Sequence, residues 1–205
     1  MAEAQPEQFR FKREGPFAAC SYSTMESVLE EYGHGNWRIA TTAETLQFSP
    51  IREDAYHWTS TKNLWAIGGI IVYDDPEGKM PSEVEPLLKL HKEGNPAVRL
   101  VRYGFKTGAH TISDFIKNPF VIAQVGNNDL MERVAQRARS MNSETAYVLT
   151  RNLNYERFKQ GLENAVVRPT GLDSYGTYGE ALHIYTDLAE DNNGRIMGYM
   201  ARIKN

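Results

Sequence analysis

The sequence predicts an α+β fold in a single domain, with mixed or antiparallel sheets and flanking helices. Short apolar, β-branched or aromatic runs recur between turn signals, as strands do, and helix patterns with capping residues stand between them. No repeat period or low-complexity tract divides the 205 residues, and 41% hydrophobic residues can fill one substantial core. We expect a flexible N-terminal segment over residues 1–16, closed by Gly15-Pro16, and a single α+β domain over residues 17–205.

Eight runs have the length and composition of strands, and the last two predict a C-terminal β-hairpin. The segment Asp191-Asn192-Asn193-Gly194 separates these two runs, and Asn-Gly tolerates the positive φ of a hairpin turn. The eight predicted strands cover residues 37–42, 55–59, 64–73, 98–105, 120–125, 146–150, 182–186 and 195–203.

Helices are predicted where a capping residue precedes an apolar stripe. Ser23 with Glu26, and Ser82 with Glu85, have the spacing of a capping box. A further helix is predicted after Asn128, because the apolar residues that follow fall on one helical face. That face contains Leu130, Met131, Val134, Ala135 and Ala138.

Composition excludes several classes of protein. A net charge of -3 lacks the basic excess needed to hold bulk nucleic acid by charge alone. No apolar run is long enough for a membrane helix, and the N-terminus lacks the order of a signal peptide, so we expect a cytoplasmic protein without membrane contact. The single cysteine, Cys20, excludes an internal disulfide and a thiolate cluster. The sequence predicts no metal site, because no two histidines have a local ligand spacing.

The segment from Tyr56 to Gly69 contains the strongest candidates for ligand-binding residues. His57 and Thr59 stand two apart on a predicted strand, so both would point to one face and address one ligand. Asn63 and Ile67 follow at offsets that would pack an apolar face behind them.

These residues resemble the ADP-ribosyltransferase superfamily, particularly its diphtheria-toxin and poly(ADP-ribose)-polymerase branch and the DarT group. Those families open their NAD site with an aromatic or apolar residue, His, any residue and Ser or Thr, as in Tyr56 to Thr59. Their later landmarks are a stacking aromatic, matched by Tyr103, and a Glu near the start of a late strand, matched by Glu180. The chain has Trp58 where many polymerase-type members have Gly.

The resemblance implies an ADP-ribosyltransferase-like fold and an enzyme that cleaves the nicotinamide glycosidic bond of NAD. Glu180 would be catalytic and would stabilise the oxocarbenium-like transition state. His57 and Thr59 would bind the adenosine-side ribose of the cofactor, and Tyr103 would stack on nicotinamide. The partners would be NAD and a macromolecular acceptor, protein or nucleic acid, in a phage, toxin or defence setting.

Two alternatives stay open at this point. The chain could be a non-enzymatic structural or assembly protein, such as a virus or phage particle component, since its near-neutral charge and aromatic loops suit repeated subunit contacts and an oligomer. A phosphodiesterase with two His-x-Thr strands is a weaker match. His57-Trp58-Thr59 supplies one motif, but the second, at His183, has Tyr185 where Thr is needed.

Overall fold

The computed structural model describes residues 9–12, 37–48, 57–66, 68–141, 144–150, 167–176, 179–186 and 199–204. Within these ranges the chain is a small α+β domain, as the sequence predicts. The strands are β1 Phe9–Lys12, β2 Trp37–Ile39, β3 His57–Ala66, β4 Gly69–Asp74, β5 Val98–Val101, β6 Gly108–Thr111, β7 Thr145–Leu149, β8 Val167–Gly176, β9 Gly179–Tyr185 and β10 Tyr199–Lys204. The α-helices are α1 Thr42–Phe48, α2 Val84–Lys92, α3 Ile112–Phe115, α4 Pro119–Val125 and α5 Met131–Arg139, and a 3-10 turn covers Asn128–Leu130.

Strand β3 is the hub of the sheet. It pairs antiparallel with β4 and β8 and parallel with β10. The main path of hydrogen-bonded neighbours runs β1-β10-β3-β8-β9-β7-β6, with β2 added to β10 and the pair β4 and β5 added to β3. All of these pairs are antiparallel except β10 with β3 and β7 with β9.

The predicted C-terminal β-hairpin is wrong. Strand β10 pairs with β1, β2 and β3, and both β3 and β8 stand between β10 and β9 in the sheet. The hairpin in this part of the chain is formed by β8 and β9, where Gly176 lies opposite Gly179. Local turn chemistry could not reveal this, because the partners of β10 come from the first third of the chain. The predicted turn at residues 191–194 lies outside the described residues.

The predicted strand over residues 120–125 is also wrong, because this run forms helix α4. The side chain of Asn118 accepts a hydrogen bond from the backbone N of Phe120, Pro119 occupies the first helical turn, and Gly126 ends the helix with φ of 69°. These are ordinary start and stop signals for a helix. The run reads as a strand because the helix is buried on nearly every side.

The other predicted helices have mixed outcomes. Helix α5 is confirmed, and its buried residues are Met131, Val134, Ala135 and Ala138. Helix α2 is present, but no side chain caps it at Glu83, so the predicted capping box at Ser82 is wrong. The helix expected after Ser23 lies outside the described residues.

Two apolar clusters lie within the part of the chain that the structure describes. The larger one lies between the sheet and helices α1, α3, α4 and α5, with Phe115 and Phe120 fully buried in it. The smaller one lies between β3, β4, β5 and helix α2, and Leu87 is the buried residue of that helix. No helix of the described ranges is long and apolar enough to cross a membrane. The flexible segment over residues 1–16 stays a prediction, although its described part, Phe9–Lys12, is strand β1.

Candidate functional site

Polar side chains occupy the centre of the sheet, where apolar ones are expected. Thr59, Thr61 and Asn63 alternate along β3 and are fully buried, and they meet polar side chains of α1, α4 and β8. We call this cluster the polar seam. Its members are Thr42, Thr59, Thr61, Asn63, Gln124 and Thr170.

The threonine half of the polar seam is saturated with hydrogen bonds. The hydroxyl of Thr59 donates to the carbonyl O of Thr170 at 3.2 Å and accepts from the backbone N of Thr61 at 3.3 Å. Its Oγ1 also lies 2.9 Å from Oγ1 of Thr42. Because a hydroxyl has one hydrogen and two lone pairs, these three bonds are compatible when Thr42 is the donor of the last one.

The amide half of the polar seam is a closed triangle. Nδ2 of Asn63 donates to Oγ1 of Thr170 at 2.8 Å, and that hydroxyl donates to Oε1 of Gln124 at 2.6 Å. Nε2 of Gln124 donates back to Oδ1 of Asn63 at 2.5 Å. All three side chains are fully buried. The triangle therefore joins β3, β8 and α4 by bonds that water does not share.

Two ion pairs lie beside the polar seam. Oγ1 of Thr61 donates to Asp74, whose other carboxylate oxygen accepts from Arg99 at 2.5 Å. Beside it, Lys62 donates to Asp75 at 2.7 Å. Each of these carboxylates therefore has a cation beside it.

A third ion pair fixes the start of helix α1. Arg38 binds Glu44 in a bidentate pair at 2.8 and 2.6 Å, and the backbone N of Thr41 donates to the same carboxylate at 2.9 Å. Burial alone would raise the pKa of Glu44, but hydrogen bonds from Arg38 and Thr41 outweigh it and hold that pKa below its usual value. Oγ1 of Thr41 accepts from the backbone N of Glu44, which completes a capping box.

The two buried histidines of the described ranges lie against aromatic rings. His110 is 4% exposed, its ring meets Phe115 edge-on at 6.4 Å between centroids, and its Nε2 has no hydrogen-bond partner. Burial, and then the charge of Lys106, lower the pKa of His110. His183 is 2% exposed and meets Tyr147 edge-on at 4.9 Å. Neither contact is that of a general base with a nucleophile.

The residues predicted to form an NAD site are spread along the sheet. His57 is the first residue of β3, and Tyr103 lies at the other end of that strand, where its hydroxyl donates to the carbonyl O of Ala66 at 2.8 Å. A ten-residue strand spans about 30 Å. Glu180 lies on β9 opposite Tyr175, close to the tip of the β8 and β9 hairpin.

The structure therefore does not gather His57, Thr59, Tyr103 and Glu180 around one cleft. No cofactor contact is tested by it, so binding by His57, Thr59 and Tyr103 and catalysis by Glu180 stay predictions. No group of three His, Cys, Asp or Glu side chains within the described ranges could hold a metal ion.

Comparison with known proteins gives a fold and no family. No family model matches the chain, and no curated protein matches it. A solved structure is similar over 96% of this chain and 97% of its own, with a TM-score of 0.56 and 12% sequence identity. It is described as showing the accommodation of massive sequence variation in Nanoarchaeota by the C-type lectin fold. At this identity the similarity concerns the fold alone.

This similarity overturns the resemblance to the ADP-ribosyltransferase superfamily. The structural neighbour has a C-type lectin fold over nearly its whole length, whereas the resemblance depended on a dozen residues around His57. The predictions of an ADP-ribosyltransferase-like fold and of NAD-dependent transferase activity are therefore wrong. A short motif on one strand matched by residue type, while the pairing of that strand belongs to another architecture.

Proposed function

We propose that this chain is a non-enzymatic structural or assembly protein built on a C-type lectin-like scaffold, acting through contacts made by its surface. The observation that carries the proposal is the similarity over 96% of the chain to a C-type lectin fold that accommodates massive sequence variation in another protein. On such a scaffold we infer that the interior maintains the fold while the surface specifies a partner.

The interior of this chain supports a purely structural role for its buried residues. The hydroxyl of Thr59 and the Asn63–Gln124–Thr170 triangle use their hydrogen bonds internally, so the polar seam stabilises the scaffold and offers no reactive group. The carboxylates of Asp74 and Asp75 are likewise bound by cations. The polar residues at the centre of the sheet thus have a structural role, as expected for a protein that acts through surface contacts.

An assay for the release of nicotinamide from NAD distinguishes this proposal from an enzymatic function. The whole chain is incubated with labelled NAD, alone and with mixed protein or nucleic-acid acceptors, and free nicotinamide and labelled acceptor are measured. We expect neither product to exceed the protein-free control. Turnover by the wild type that is lost in Glu180→Gln, with the same melting temperature for both chains, would overturn the proposal.

Light scattering tests whether copies of this chain assemble into complexes. A structural or assembly protein is expected to form discrete complexes, which appear as a concentration-dependent rise in mass. A monomer at every concentration would count against assembly from copies of this chain. A cytoplasmic location and NAD as a ligand stay predictions.

A further inference from the structure

We propose that strand β5 and helix α2 form the interface of a two-fold symmetric dimer of this chain. The inference deepens the proposed function, on which it rests, because it names the partner as a second copy. Leu100 on β5 is 42% exposed and is the exposed large hydrophobic side chain of the described ranges. It stands opposite Ile71, on the sheet face that α2 covers.

Strand β5 is an edge of the described sheet, and its free backbone groups are concentrated at Leu100. The backbone N of Asp74 donates to the carbonyl O of Ala97, so the alternation of an antiparallel ladder turns the backbone groups of Val98 and Leu100 away from β4. Those of Val98 are occupied, since its N donates to Asn95 and its O contacts Nδ1 of His91. An antiparallel second copy of β5 would therefore pair Leu100 with Leu100 through two hydrogen bonds.

The same symmetry brings the two α2 helices together. Helix α2 contacts both β5 and β4, so in a sheet continued across two β5 strands the helix axes would lie about two strand spacings, or about 10 Å, apart. That is the ordinary distance between packed helices. A two-fold axis perpendicular to the sheet keeps both helices on one face and makes them antiparallel.

The flank of α2 that faces the edge suits such packing. His91 reaches the outward carbonyl of Val98, and Val84 and Leu88 precede it at helical spacing on the same flank. Both aliphatic side chains are only partly buried. His91 lies beside Val98, and a helix rises about 1.5 Å per residue against about 3.3 Å for a strand, so we expect residues 87 and 88 to lie beside Leu100. One two-fold axis can therefore pass close to both Leu88 and Leu100.

Charge along α2 is complementary under this symmetry. Glu85 lies three residues before Leu88 and Lys92 four residues after it, and both side chains are exposed. In an antiparallel pair centred near Leu88, Glu85 of one copy faces Lys92 of the other, twice per dimer. Arg99 and Arg102 are not set opposite a like charge by the Leu100 pairing, since their opposite positions are Val101 and Val98. The surface formed by β5 and α2 is therefore self-complementary.

Sedimentation velocity of the whole chain over a wide concentration range tests the apolar centre. We expect a reversible dimer, and Leu100→Asp should raise its dissociation constant about tenfold or more. Ala109→Asp, at an exposed position on another edge strand, β6, is the matched control and should leave the constant unchanged. A wild type that stays monomeric, or a Leu100→Asp variant that dimerises like the wild type, would overturn the proposal.

The charge pair gives a second test that does not depend on Leu100. Glu85→Lys and Lys92→Glu should each weaken the dimer about fivefold by placing like charges opposite one another. Mixing the two variants should restore wild-type affinity, because each mixed pair then joins opposite charges. Failure to restore it, with circular dichroism unchanged for both variants, would refute the interface. That result would refute only the dimer interface and would leave the proposed function standing. Release of nicotinamide from NAD by this chain would instead refute the proposed function, independently of the dimer measurements.

Discussion

Replacing Gln124 by Met tests whether the polar seam stabilises the fold as its geometry indicates. Methionine keeps the length of the side chain but removes the donor to Asn63 and the acceptor for the hydroxyl of Thr170. Both lost bonds are fully buried, and a buried polar group that loses its partner costs about 1–3 kcal/mol. Burying an apolar group in place of the amide recovers about 1 kcal/mol. With two such groups, we therefore expect the free energy of unfolding to fall by about 1–5 kcal/mol.

Urea unfolding followed by circular dichroism measures this change. A loss of that size is a large part of the 5–15 kcal/mol, roughly, that stabilises a typical domain, so the midpoint should shift visibly. Gln136→Met, at an exposed position on α5, is the matched control and should stay within about 0.5 kcal/mol of the wild type.

A double-mutant cycle with Thr170→Val separates the triangle from generic packing. Gln124→Met leaves the hydroxyl of Thr170 without its acceptor, and Thr170→Val leaves Oε1 of Gln124 without its donor. The double variant removes both of these atoms, so it should lose about 1–3 kcal/mol less than the sum of the two single variants. A loss below about 0.5 kcal/mol for Gln124→Met, or strict additivity in the cycle, would refute the reasoning. The polar seam would then be a tolerated feature of the interior rather than a stabilising one.

Three further predictions concern single positions. Because the pKa of His110 is lowered from 6.5, the unfolded chain takes up the proton first, so the free energy of unfolding should fall as pH drops below about 6.5. Urea titrations should show a smaller fall for His110→Phe. Gly69→Ala should lower the melting temperature far more than Gly104→Ala, since an added Cβ would collide with the carbonyl O of Val101 at position 69 and would enter open space at position 104. Thr41→Ala should cost about 1 kcal/mol in urea unfolding, and Thr41→Ser much less.

Local sequence rules correctly predicted the helices and strands whose formation depends mainly on their own residues. Helix α5 follows from its apolar spacing, and strands β2, β7 and β9 follow from short β-branched runs between turn signals. Helix α4 carried equally local signals in Asn118, Pro119 and Gly126, but its apolar residues suit a buried strand as well as a buried helix. The capping box of Thr41 and Glu44 was likewise readable from spacing alone.

The polar seam could not be predicted in the same way. Alternation indicates that Thr59, Thr61 and Asn63 share a face of β3, but polar alternation ordinarily marks the face turned to water. Their burial depends on Gln124 and Thr170, which are distant in sequence and reach β3 only through the fold. The same limit explains the wrong family resemblance, because residue types around His57 carry no information about the partners of that strand.

The position of β10 has a consequence for how the protein is made. This strand supplies the neighbours of β1 and β2 and part of the neighbours of β3, so Phe9 must wait for Ile203 before it is paired. During synthesis those earlier strands leave the ribosome with unpaired backbone groups, and closing so long a loop is slow. Folding of this part of the sheet should therefore finish only after β10 has been synthesised, and deletion of Tyr199–Lys204 should yield chains that associate through open strand edges.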